Sequence, residues 1–142
     1  MDFSLVNWPG VILATIAAYA IGAVYYMALG KVWVKAARID PAAMKMRYSP
    51  FVISFLAEFV MAVILYFVLN DITFAGTFSA EFDMLSGIAW GFILWLGFTA
   101  MTITVNHRYQ GYGWDLTLID SVHWLLVLLV MGAIIGWFGP GQ

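Results

Sequence analysis

Cysteine is absent from the chain, which excludes disulfides, thiolate metal sites, iron–sulfur clusters and cysteine nucleophiles. Charge is nearly as scarce. Charged residues make up 10% of the 142, whereas a soluble domain carries roughly 25%. A water-exposed surface cannot be built from that composition. Histidine occurs only at His107 and His123, which restricts haem and metal chemistry within one chain. No nucleophile elbow, phosphate-binding loop or dinucleotide fingerprint is present, and no motif implies a cofactor. A formal net charge of −2 leaves no nucleic-acid footprint.

What the chain has is apolar length. Hydrophobic residues make up 64% of it and aromatics 18%, and at ~100–200 residues per domain the expectation is one membrane domain over residues 1–142. A transmembrane helix needs ~20 mostly apolar residues. Four runs qualify, at about 8–29, 50–69, 86–105 and 116–138. The first and third hold no charge, the second holds Glu58, and the fourth holds Asp120 and His123. The first run is of spanning length and is preceded only by Asp2, so it does not read as a cleavable signal peptide. The fold expected is all-α, an integral membrane four-helix bundle with short loops and antiparallel neighbours.

The charges predict the orientation. All six Lys and Arg fall between spans 1 and 2 (Lys31, Lys35, Arg38, Lys45, Arg47) or between spans 3 and 4 (Arg108). The other flanks carry Asp2, Asp71, Glu81 and Asp83 and no base. This positive-inside pattern predicts both termini outside and the basic segments in the cytoplasm. Lys31, Lys35 and Arg38, at i, i+4 and i+7, predict a short amphipathic helix lying along the inner leaflet in contact with lipid headgroups. Trp8, Trp137, Trp33 and Trp114 read as interfacial belts.

Each span offers a stripe of small residues for close packing, such as Gly10, Ala14, Ala18 and Gly22 in span 1, Gly87 and Gly91 in span 3, and Gly132 and Gly136 in span 4. That supply exceeds what one bundle needs, so self-association is expected, and docking into a larger membrane complex is a further use for the surplus.

Ionisable groups inside spans point to function by default. Counting ~1.5 Å per residue from the cytoplasmic end puts Glu58 ~12 Å deep, His123 ~10 Å and Asp120 ~6 Å. Thr99, Thr102 and Asn106 share one helical face of span 3 below Trp95, in the same half of the bundle. With Tyr25 and Tyr26 of span 1 at ~5 Å, the six predict one polar cavity open toward the cytoplasm. Glu58 has no Lys or Arg in any span to pair with, so it is expected to be protonated at neutral pH or hydrogen-bonded by Thr99, Thr102 or a tyrosine. Asp120 and His123, three apart, resemble half of a metal site, but no repeated Glu-x-x-His completes a ligand set, and no metal is expected.

Three stretches also carry a family resemblance: 23–35 (AVYYMALGKVWVK), 54–69 (SFLAEFVMAVILYFVL) and 94–136, which contains GFTAMTITVNHRYQGYGWDLTLIDSVHWLLVLLVMGAIIG. Together they resemble the bacterial family of small four-span membrane proteins known as domain of unknown function 1761. The resemblance implies the fold and the bacterial cytoplasmic membrane, and it assigns no activity. Three readings remain open: a protein that binds or conducts a small solute or proton through the inward-facing cavity, a non-catalytic accessory or assembly subunit, and a lipid- or quinone-directed enzyme with Glu58, Asp120 and His123 as acid–base groups.

Overall fold

The structure, a computed structural model, describes residues 2–43, 47–73 and 82–141. Lys45 and Glu81, two members of the charge pattern, lie outside them. Helix α1 spans Trp8–Ala36. The Asn7 side chain caps it by accepting the Gly10 N–H at 3.2 Å, and Pro9 occupies the first turn. Helix α2 spans Ser49–Thr73 and also starts on a Ser-Pro pair. The third span is one rod in three parts: α3 (Met84–Leu94), a π-helical turn (Trp95–Ala100) and α4 (Met101–Tyr109). Asp83 caps α3 by accepting the Ser86 N–H at 2.7 Å, and hydrogen bonds from Ser86 hold its carboxyl below the usual range. Helix α5 spans Trp114–Phe138. Four rods are therefore long and apolar enough to cross a membrane, and no strand occurs among the described residues. The chain is an all-helical, multi-pass membrane protein.

The predicted spans fall inside these rods, but the end of the first differs. Span 1 does not stop near Leu29 and hand over to a separate amphipathic helix. The run from Gly30 to Ala36 contains no breaker strong enough to interrupt a helix already formed, so α1 continues for 29 residues, ~43 Å at 1.5 Å per residue against a ~30 Å hydrocarbon core. Lys31 and Lys35 stand exposed on its last turns. Arg38 lies past the end in left-handed backbone (φ 56°), where the Ile39 N–H reaches back to the Val34 carbonyl. After Asp40 the described chain makes one 3-10 turn, Pro41–Ala43. Helix α4 ends in the same way as α1, with Gly111 in the left-handed position and the Tyr112 N–H on the His107 carbonyl.

Helix α5 is the axis of the assembly, packed closely on α1 at one side and α3 at the other, while α2 leans mainly on α1. The small-residue stripes make these contacts possible. A Cβ on Gly87 would overlap the Gly132 carbonyl, one on Gly91 the Leu128 carbonyl, and one on Gly136 the Asp83 carbonyl. Gly10, Ala14, Ala18 and Gly22 are all buried along α1. The stripes are thus consumed inside the chain, and none of these glycines is left over for a second subunit.

Both described ends of the chain meet at one end of the bundle. Asn7 Nδ2 donates to the Phe138 carbonyl at 3.2 Å. The buried Tyr66 hydroxyl donates to the Leu5 carbonyl and accepts the Gly141 N–H. Helix connectivity then puts Lys31, Lys35, Arg38, Arg47 and Arg108 together at the opposite end.

Candidate functional site: a cleft between two helices

Helix α2 is not seated along its whole length. Every residue from Pro50 to Ala57 is exposed, and burial begins at Glu58. The first two turns of α2 therefore stand away from α5, and a cavity of about 430 Å³ lies between α1 and α2 with α5 as its floor. Small-molecule sites run to ~300–1,000 Å³.

Glu58 projects from α2 into this cavity and His123 rises from the floor. Each sits nine residues into its own helix, from Ser49 and from Trp114, which puts both ~13 Å from the basic end. They are 3% and 7% exposed. Glu58 Oε2 and His123 Nδ1 are the two buried side-chain polar atoms among the described residues that have no hydrogen-bond partner. Such atoms are uncommon in native structures, and each calls for a physical reason.

Apart from Ser54, the remaining wall is aromatic and apolar. Tyr19 and Tyr26 line it from α1, Phe51 from α2 and Trp124 from α5. Gly22, between the two tyrosines, leaves space for the His123 ring, because a Cβ there would come within 2.8 Å of Nε2. The ring is held between Tyr26 and Trp124, with centroids 4.7 Å and 5.0 Å away. At the mouth, Phe51 is 58% and Met27 83% exposed. Both are apolar, and Pro50 and Phe51 set this edge of the cavity in the first turn of α2.

Asp120 belongs to a second cluster, one turn nearer the basic end. Its Oδ1 accepts from the Tyr26 hydroxyl and from Trp33 Nε1, both at 2.9 Å, and its Oδ2 lies 3.6 Å from His107 Nε2. His107 Nδ1 is 3.2 Å from Thr117 Oγ1, which also accepts from Arg108 at 2.9 Å. The Arg108 guanidinium sits 4.2 Å above the Trp114 ring. This network clasps α1, α4 and α5 together. Tyr26 joins it to the cleft, since its ring borders the cavity while its hydroxyl serves Asp120.

The six polar residues expected in one cavity are therefore divided. Glu58 and His123 share the cleft, Asp120 is in the clasp, and Asn106 is exposed on the last turn of α4. Thr99 and Thr102 line a shallower groove between α2 and the third span, and Trp124 borders both spaces. They do not hydrogen-bond Glu58 Oε2. The physical reason is the helix order, in which α5 stands between α1 and the third span, and the π turn changes the facing of the third span as well. That turn admits an extra residue, which rotates the remainder of the rod by about 100° relative to a regular helix. Trp95 instead donates to the Ser121 carbonyl at 2.7 Å. Tyr26 was among the polar groups expected at this depth, whereas Tyr19, Phe51 and Trp124 were not, although Tyr19, Gly22 and Tyr26 at i, i+3 and i+7 already mark one face of α1. Among the described residues no group of three or more His, Asp or Glu is placed to hold a metal ion.

A family profile described as "Protein of unknown function (DUF1761)" matches residues 9–136. No curated protein and no solved structure matches the chain.

Proposed function

The chain belongs to this family of unknown function, and we propose that it binds a small molecule inside the membrane, in the cleft between α1 and α2. One observation carries the reading: Glu58 and His123, each with a buried polar atom that has no partner, line the same cavity. Leaving a buried polar atom unpaired costs about 1–3 kcal/mol, and a bound polar group removes that cost. The protein sits in the cytoplasmic membrane of a bacterium with both termini outside. The gathering of the described Lys and Arg at the far end of the bundle supports that orientation. The cleft then lies in the cytoplasmic half.

The test is retention. Wild-type protein, Glu58→Leu and His123→Leu are purified in nanodiscs, and small molecules are extracted and identified by mass spectrometry. The wild type is expected to carry a molecule beyond bulk lipid that both variants lose while keeping a cooperative unfolding transition. Equal content in all three overturns the reading.

A further inference from the structure

Resting on that reading, the geometry points to a lipophilic organic cation as the ligand of the α1–α2 cleft, entering sideways from the bilayer. Charge is the first argument. Glu58 is the only Asp, Glu, Lys or Arg in the cavity wall, and Oε2 has no partner among the described residues. A carboxylate taken out of water without a counter-charge is costly, and a positive ligand supplies the missing partner. An anion meets repulsion at the same place.

The wall is the second argument. Tyr19, Tyr26, Phe51 and Trp124 surround a carboxylate with aromatic rings, the chemistry by which proteins hold organic cations with spread-out or shielded charge. In its Nε2–H tautomer His123 keeps a free lone pair on Nδ1, which has no partner.

The route is the third. Phe51 and Met27 give the cleft an exposed apolar edge, which suits a ligand that arrives dissolved among acyl chains. Compact, strongly hydrated ammonium ions do not travel that way, whereas cations wrapped in aromatic or alkyl groups do. Glu58 and His123 lie ~13 Å in from the basic end, below the depth of phospholipid headgroups. An ordinary phospholipid cannot bring its charged group there without dragging it into the hydrocarbon.

Tetraphenylphosphonium and tetraphenylborate have the same shape and opposite charge, which makes them a direct test. Binding of each, and of neutral decylubiquinone, is measured by equilibrium dialysis on the whole protein in phosphatidylcholine nanodiscs. Saturable tetraphenylphosphonium binding is expected, weakened about 10-fold or more in Glu58→Gln, equivalent to about 1.4 kcal/mol, with no saturable tetraphenylborate binding. Equal phosphonium affinity in wild type and Glu58→Gln overturns the proposal, as does the absence of saturable phosphonium binding. If decylubiquinone alone binds in a Glu58-dependent way, the ligand class is wrong and the binding cleft stands. If no probe binds and no molecule co-purifies, both fall. Should Glu58→Gln fail to fold, Phe51→Ala tests the same wall through a largely exposed ring. A several-fold loss of phosphonium affinity supports the proposal, and unchanged affinity overturns it.

Discussion

Gly87 and Gly132 meet backbone to backbone, so that a methyl group on either would overlap the carbonyl oxygen of the other. In a bilayer there is little hydrophobic force to press helices together, and such close approach supplies dispersion contacts in its place. Gly132→Ala should therefore push α3 off α5 and destabilise the bundle by ~1–3 kcal/mol, the usual range for overpacking. Gly30→Ala is the matched control, because nothing lies within 4 Å of its added Cβ. Thermal unfolding in one detergent should show a lowered midpoint for the first and an unchanged or raised one for the second. Equal midpoints would mean that the contact carries no stability.

The Asp120 clasp makes a graded prediction. Asp120→Ala leaves the Tyr26 hydroxyl and Trp33 Nε1 without their acceptor, at a cost of ~1–3 kcal/mol for each group left unpaired and dry. Asp120→Asn keeps an oxygen for both donors and loses only the charge facing His107, so it should be distinctly milder. The order wild type, Asn, Ala in unfolding midpoint is expected. Asn as damaging as Ala would shift the weight from the two hydrogen bonds to the His107 contact.

Four spans could be read from the sequence because a bilayer demands ~20 apolar residues in a row and tolerates few other patterns. The shared depth of Glu58 and His123 was readable for a similar reason: both helices start at the same face, and helical rise is constant. Thr99 and Thr102 were misplaced because depth arithmetic does not say which helices adjoin, and α5 separates the third span from α1. The aromatic wall was hidden differently. Trp and Tyr are common at membrane interfaces, and only tertiary contact separates Trp124, at the floor of the cleft, from Trp8 or Trp137. The stripes of glycine spoke for close packing but could not say with which partner.

Orientation is open to a direct measurement. The natural chain has no cysteine, so a single introduced thiol reports one position. Cysteine at Ala42, in the exposed turn at the basic end, should react with an impermeant maleimide only after cells are broken. Cysteine at Thr77, outside the described residues and between spans 2 and 3, should react in intact cells. The Lys and Arg asymmetry is the basis for both expectations. Reversed labelling would turn the cleft toward the outside.

Gly22 offers a way to disturb the site without touching its polar atoms. A Cβ at this position would stand 2.8 Å from His123 Nε2, against a side chain and not a backbone. The imidazole can yield, but Tyr26 and Trp124 flank it, so its readiest escape is toward the cavity. Gly22→Ala should therefore move Nδ1 and narrow the space beside Glu58. It should also favour α1 itself, since alanine in a helix interior is worth ~1 kcal/mol over glycine in soluble hosts. The expected outcome is a stable, folded protein whose unfolding midpoint stays within a few degrees of wild type. Ligand retention in nanodiscs should nonetheless fall several-fold. Gly30→Ala, on the same helix but free of neighbours, should leave retention unchanged. If Gly22→Ala retains as much as wild type, the His123 ring is not part of the binding wall, and Glu58 must hold the ligand without it.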